Sequence, residues 1–181
     1  NLVYLCVGEK DTDIFDTLSD YLIKERPGLH SGAWEVKTTI RAGELPHTYE
    51  RRVPDRFKYG TPSTVSGFLY GLYSANGSIC GDRVTLKASS FGIISDVQEM
   101  LSSLGIPSYY TTNNEKSVIF SNGQYTCKQS YDLNITRGRN LFAAVVGFIQ
   151  DYKQTKLESI ISYLKNGSSL KQTYDIVSVE Y

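Results

Sequence analysis

A chain of 181 residues with 40% hydrophobic content carries enough apolar residues to bury a core in one domain or a two-lobed unit, and leaves little room for two large independent domains. Its 19 basic and 19 acidic residues cancel, so any affinity for nucleic acid must come from where the charges sit rather than from their sum. No apolar run approaches the roughly 20 residues that span a bilayer, Asn1 to Gly8 lacks the regions of a signal peptide, and Cys6, Cys80 and Cys127 are odd in number and lack any CxxC spacing, so the expectation is a soluble, cytoplasmic protein without membrane partner, disulfide framework or structural zinc.

Leu2 to Val7 is a short apolar run ending at Gly8 and reads as a buried strand. Asp11 or Thr12 caps a helix whose apolar positions Ile14, Phe15, Leu18, Tyr21 and Leu22 keep helical spacing until Pro27-Gly28. Trp34, Val36, Thr38 and Ile40 alternate with Glu35, Lys37, Thr39 and Arg41, the pattern of a strand with one wet face. Residues 42 to 60 hold Gly43, Pro46, Pro54 and Gly60 and read as a linker or irregular arm, locally basic at Arg51, Arg52, Arg56 and Lys58.

Thr61-Pro62, a cap followed by a first-turn proline, opens a helix from about Ser63 to Ala75 that closes at Asn76-Gly77. A hairpin follows, with Ser78 to Cys80, a turn at Gly81-Asp82, and Arg83 to Ala88. Val84, Leu86 and Ala88 share one face of its second strand; Arg83, Thr85 and Lys87 share the other. The next helix runs near Ile93 to Leu104 and stops at Gly105. Ile106 to Thr112, Lys116 to Ser121 and Gln124 to Ile135 read as strands, with a hairpin turn at Asn122-Gly123. A long helix spans about Leu141 to Leu164, and Tyr174 to Val179 reads as a last strand. The order of elements makes the second part a complete unit of which the first is a shortened copy.

In the stretch Phe68-Leu69-Tyr70-Gly71-Leu72-Tyr73-Ser74-Ala75-Asn76-Gly77-Ser78 and the Gly67 just before it, Gly67, Gly71 and Ala75 fall four apart, so one helical face lets a second helix approach closely. Taken alone, it reads as a well-packed helix with a left-handed cap. It resembles the LAGLIDADG motif in its intein form, which ends in a small residue, an acid, Gly and Ser, with Asn76 standing where the acid belongs. Further on, Val97 to Ser108, with its Leu104-Gly105-Ile106, resembles the family's second helix leading into a strand. Tyr131 to Ile135 with Phe142, Val146-Gly147-Phe148 and Lys153 resembles its closing strand and helix. Thr173 to Ile176 with Val179-Glu180 resembles the penultimate splicing block of inteins, and Leu2 to Lys24 looks like the segment after the first LAGLIDADG helix in inteins of ribonucleotide reductases.

The resemblance implies an α+β LAGLIDADG homing-endonuclease fold, an αββαββα unit on a twisted antiparallel saddle sheet, with its first half truncated. Residues 1–60 would be the truncated first subdomain and arm, 61–167 the second subdomain, and 168–181 the start of a splicing strand. It implies site-specific binding and Mg²⁺-dependent cleavage of double-stranded DNA, with the rest of the intein supplying the first LAGLIDADG helix and the splicing residues. Asn76 and Gly77 then mark the degenerate metal position. An amide brings no negative charge, so cleavage is impaired. Lys153 matches the family's basic active-site residue, and also reads as an exposed helix lysine. For DNA, the exposed strand positions Arg83, Thr85 and Lys87 come first, joined by Ser78 and Cys80 on the same side and by Lys128, Ser130, Asp132 and Asn134; Lys116, Arg137 and Arg139 suit phosphates. The tyrosines read as core and rim rather than a base-stacking platform, with one of Tyr109 and Tyr110 buried. An RNA-splicing maturase on the same scaffold and a non-catalytic structural insertion are the alternatives.

Overall fold

The computed structural model describes residues 2–27, 33–41, 47–121 and 123–162; the expected strand at 174–179 and the segment 168–181 lie outside them. β1 (Leu2–Gly8), β2 (Leu22–Pro27) and β3 (Ala33–Arg41) form an antiparallel sheet in the order β1-β3-β2. Val36 and Thr38 of the central strand are buried, as are Val7 and Ile14. The long helix expected after Asp11 is not there. A 3₁₀ turn at Glu9–Asp11, a short α1 (Asp13–Thr17) and a second 3₁₀ turn at Ser19–Tyr21 take its place. Ser19 and Asp20 favour turns over helix interiors, and the chain from Leu22 onward gains a full ladder on β3, from Leu22 opposite Thr38 to Pro27 opposite Trp34.

α3 (Pro62–Asn76) follows the arm and its single-turn α2 (Asp55–Lys58). Thr61 caps α3 by accepting from the Thr64 N–H, and Pro62 occupies the first turn, where its missing N–H leaves no bond unmade. β4 (Gly77–Cys80) and β5 (Arg83–Ala88) come next, joined by Gly81 at φ 60°, and then α4 (Phe91–Ser103), capped by Ser90 and ended by Gly105 at φ 74°. The helix-to-strand junction at Gly77 is not the expected left-handed cap: its φ is −82°. Glycine is required there by contact, since a Cβ would lie 2.5 Å from the Tyr73 carbonyl oxygen and 2.8 Å from its ring.

β6 (Tyr109–Asn113), β7 (Lys116–Phe120), β8 (Gly123–Cys127) and β9 (Ser130–Ile135) complete the strands. The single strand expected from Gln124 to Ile135 is two strands in different sheets. Among the described residues β8 pairs with β7 alone, while β9 lies in a four-stranded antiparallel sheet of order β4-β5-β9-β6. Hence α3-β4-β5-α4-β6-β9 with its closing helix is an αββαββα unit whose second pair of strands is spaced by the β7–β8 hairpin. β6 starts three residues later than predicted because Pro107 cannot donate to the ladder, and Ile106 serves the core instead.

The long closing helix is also broken, into α5 (Arg139–Val145) and α6 (Asp151–Ser162). Gly147 at φ 69° turns the chain so that Val146 and Phe148 both enter the core. That core runs from Val53 through Leu69, Tyr73, Val84, Leu86, Val97, Leu101, Leu133, Ile135 and Phe142 to Leu157, with the Tyr73 ring edge-on to Phe142 at 4.8 Å. Tyr109 and Tyr110 are both exposed, contrary to expectation. Tyr110 packs instead against the rims of Phe91 and Tyr131. Among the described residues no helix is long and apolar enough to cross a membrane.

The arm is fastened to α4 by one buried carboxylate. Asp96, 1% exposed, accepts both prongs of the Arg52 guanidinium (2.7 and 2.6 Å), the Lys58 ammonium (3.0 Å) and the Val53 N–H (3.0 Å). Lys58 also reaches Glu99 at 2.6 Å. Burial by itself would raise the Asp96 carboxyl, but the bonds from Arg52, Lys58 and Val53 outweigh it and hold it down at about 2. One residue earlier, the Ser90 hydroxyl that caps α4 donates to the Arg51 carbonyl at 2.7 Å.

Candidate functional site

The C-terminal end of α3 is where the chain brings distant polar groups together. The Ser74 carbonyl accepts from the Lys153 ammonium (2.7 Å) and the Gln150 amide (2.9 Å), and its hydroxyl accepts from the Ile149 N–H (2.8 Å). A cation at a helix C-terminus meets the unpaired carbonyls and the negative end of the helix dipole, so the sequence-predicted Lys153 is seated two residues from Asn76. Burial lowers its pKa, opposed by the nearby Asp11 carboxylate. Asp11 itself accepts from the Gln150 amide and the Tyr152 hydroxyl, each at 3.0 Å, and Asp13 accepts from the Asp151 N–H at 2.9 Å at the start of α6. Asp11 and Gln150 were invisible as site residues in the sequence. One read as a helix cap and the other as a position inside a long helix, and their contact spans 139 positions.

Asn76 is exposed and makes no side-chain hydrogen bond among the described residues. Gly77 is buried beneath Tyr73, a packing role that accounts for it without any ligand. Among the described residues the opposite side of α3 is uncovered: Gly67, Gly71 and Ala75 are exposed, and a Cβ on either glycine would meet nothing within 4 Å.

Strand register assembles one polar face on the four-stranded sheet. Ser78 lies opposite Thr85, Thr85 opposite Asn134, and Asn134 opposite Tyr109; in the next rows Cys80 faces Arg83, and Lys87 faces Asp132, which faces Thr111. The other face, with Ile79, Val84, Leu86, Leu133 and Ile135, is core. The expected alternation on β5 therefore holds, but its middle is closed. The Thr85 hydroxyl donates to the Asn134 side-chain oxygen (3.0 Å), whose amide donates to the Asp132 carbonyl (2.9 Å). Both side chains are buried and occupied as cross-strand ties, so neither is free to reach a base edge.

Arg83 and Lys87 remain exposed without an ion pair among the described residues, as do Lys116 and Arg137. Lys128 lies between β8 and β9 with its ammonium 4.9 Å from the Tyr49 ring. Arg139 corrects the sequence reading. It is 5% exposed, donates to the Asp82 carbonyl and lies 3.3 Å from the Asp82 carboxylate. It therefore braces the β4–β5 turn instead of offering a free cation.

The side chains at the α3 tip do not by themselves fit a Mg²⁺ ion, which takes hard oxygen ligands in octahedral array and is usually anchored by one or two carboxylates, with waters and phosphates completing the shell. Position 76 is a neutral amide, the Ser74 carbonyl is taken by an ammonium, and among the described residues no group of three His, Cys, Asp or Glu side chains converges.

Residues 63–143 match the LAGLIDADG-like domain family. Three solved structures of the homing endonuclease I-DmoI superpose on the chain. Its complex with DNA and Ca is 16% identical, with a TM-score of 0.56, covering 87% of this chain and 83% of that one. A structure of its mesophilic variants gives the same values. The complex with DNA and Mn is 17% identical, with a TM-score of 0.53 and 80% of each chain covered. The chain thus has the LAGLIDADG homing-endonuclease fold, with residues 63–143 similar to that family's domain.

Proposed function

We propose that this LAGLIDADG-like chain is the DNA-gripping portion of an intein-encoded homing endonuclease of the ribonucleotide-reductase type, with strand cleavage impaired by Asn76. Its parts would be a shortened first subdomain and arm (1–60), a second subdomain (61–167) and the start of a splicing strand (168–181). The observation that carries the reading is the polar sheet face with Arg83 and Lys87, neither in an ion pair among the described residues, set beside a helix whose small-residue face is open among those residues. The sheet face suits the DNA groove, with Lys116, Lys128 and Arg137 toward phosphates. The open face of α3 suits a second small-faced helix from the remaining intein, since bare Cα positions let backbones approach. I-DmoI structures with DNA contain Mn and Ca. In this chain a divalent ion needs carboxylates that position 76 does not supply, and Lys153, half-buried at the same helix end, would orient water or meet phosphate charge.

Selection from a randomised duplex pool tests this. The chain should enrich one sequence family, with affinity falling steeply as salt rises from 50 to 200 mM. Asn76→Asp, supplied with the partner helix, should nick that duplex with Mg²⁺. Recovery of random duplex alone sinks the reading. An Asn at this position also suits an RNA-splicing maturase, where the acid is dispensable; preferential capture of structured intron RNA over duplex would favour that alternative.

A further inference from the structure

We infer that Asn76-Gly77 is a self-modification site: opening of the last turn of α3 lets Asn76 deamidate, and the refolded junction keeps the aspartyl product in preference to its isoaspartyl isomer. The reagents are the chain's own backbone and water. The functional consequence, a carboxylate where the homing-endonuclease family carries its acid, rests on the nuclease reading; the chemistry does not. Asn-Gly is the dipeptide in which this reaction is least hindered, because glycine has no Cβ to crowd the attacking nitrogen. The Gly77 nitrogen gives up its proton and attacks Cγ of Asn76. A C–N bond forms, ammonia leaves with the proton, and a five-membered succinimide joins the two residues. Water then opens the ring. Addition at Cγ breaks the new C–N bond, restores the original backbone and leaves aspartate. Addition at the backbone carbonyl carbon of residue 76 breaks the original peptide bond, so the chain runs through Cγ and its backbone gains a carbon. The sum is amide plus water to carboxylate plus ammonium.

The electrophile is available. Asn76 is exposed at the last position of α3, and its side chain makes no hydrogen bond among the described residues. Asn134, by contrast, has both ends of its amide engaged and is followed by the branched Ile135. The nucleophile is withheld. Gly77 is buried and its N–H donates to the Tyr73 carbonyl, a bond that holds the proton in place and keeps the peptide in its helical orientation. While it lasts, no ring closes; bonds at a helix end are the ones that open most readily. The product is then sorted by fit. At Gly77 even a Cβ would lie 2.5 Å from the Tyr73 carbonyl oxygen and 2.8 Å from its ring, so a junction lengthened by a backbone carbon cannot close beneath Tyr73. Aspartate has the shape of asparagine and can. Lys153, whose ammonium sits on the Ser74 carbonyl at the same helix end, offsets the cost of a carboxylate beside the negative end of the helix dipole.

The test incubates the full chain in mildly alkaline buffer, folded and in urea, and follows residue 76 by peptide mass mapping with electron-transfer fragmentation, which separates aspartyl from isoaspartyl. The sequence supplies two internal clocks, Asn122-Gly123 and Asn166-Gly167. Asn76→Gln, whose longer side chain closes a ring far more slowly, is the control. In urea, position 76 should convert at the pace of the clocks, and Asn76→Gln should remove the signal. Folding should slow conversion at position 76 at least about tenfold. After dilution from urea, aspartyl chains should enter the folded fraction while isoaspartyl chains collect in the protease-sensitive one. Conversion at 76 that lags the clocks in urea, that proceeds equally fast when folded, or that leaves isoaspartate evenly spread between the fractions overturns the inference. With the partner helix and Mg²⁺, aged chains should nick the selected duplex in proportion to their aspartyl content. Nicking by Asn76→Asp but not by refolded aged chains of equal aspartyl content overturns the inference and spares the nuclease reading. Conversion as described, with nicking by neither, upholds the modification site and sinks that reading.

Discussion

Replacing Asp96 with asparagine isolates the charge that joins the arm to α4. In the folded chain its carboxyl sits at about 2 against an ordinary 3.8. Each tenfold change in proton affinity corresponds to roughly 1.4 kcal/mol, so the difference is worth about 2 kcal/mol of stability. Its sign follows from linkage. Because the folded value is depressed, the contribution is complete above pH 3.8 and is lost as pH falls toward 2. Asp96→Asn removes it at neutral pH and strands Lys58, whose side chain is 9% exposed but keeps Glu99, and Arg52, which is 63% exposed and can turn to water. The loss should therefore be about 2 kcal/mol, below the 3–5 kcal/mol of a fully buried pair. Urea unfolding of both proteins at pH 7, 4.5, 3.5 and 2.5 measures the gap, which should be flat down to about pH 4.5 and close toward zero near pH 2. A gap that stays constant into acid would mean that shape, not charge, holds the arm, and would refute the reasoning.

Two further substitutions probe the helix that ends at Asn76. The Tyr73 hydroxyl is fully buried without a hydrogen-bond partner among the described residues, and burial pushes its pKa far above the usual phenol value; Tyr73→Phe should stabilise the chain by about 1–3 kcal/mol, read as a calorimetric melting temperature several degrees higher, and a lower one would refute the cost assigned to the buried hydroxyl. Gly77→Ala forces a methyl against the Tyr73 backbone and should destabilise by about 1–3 kcal/mol, with the near-ultraviolet dichroism of Tyr73 altered; a neutral substitution would mean that the α3–β4 junction yields easily.

Local chemistry was sufficient wherever it faced no competitor. Thr61-Pro62 opens α3, Gly81 turns the first hairpin, Gly105 ends α4, and the alternation on β5 sorts Arg83 and Lys87 from Val84 and Leu86, because capping, positive φ and two-residue periodicity act within a few residues. The small-residue helix, with Asn76 at its end, was equally legible. Tertiary structure decided the rest, through partners the chain meets only after folding. β3 draws Leu22–Pro27 out of a helical pattern, Gly147 breaks the closing helix so that Phe148 can enter the core, and Asn134 and Arg139, read as free hands for DNA, are taken by Thr85 and Asp82. Arg51 and Arg52 are indistinguishable in the sequence. One makes no ion pair among the described residues and the other is spent on a carboxylate 44 positions away, because periodicity reports which face a side chain takes and says nothing of what has already claimed it.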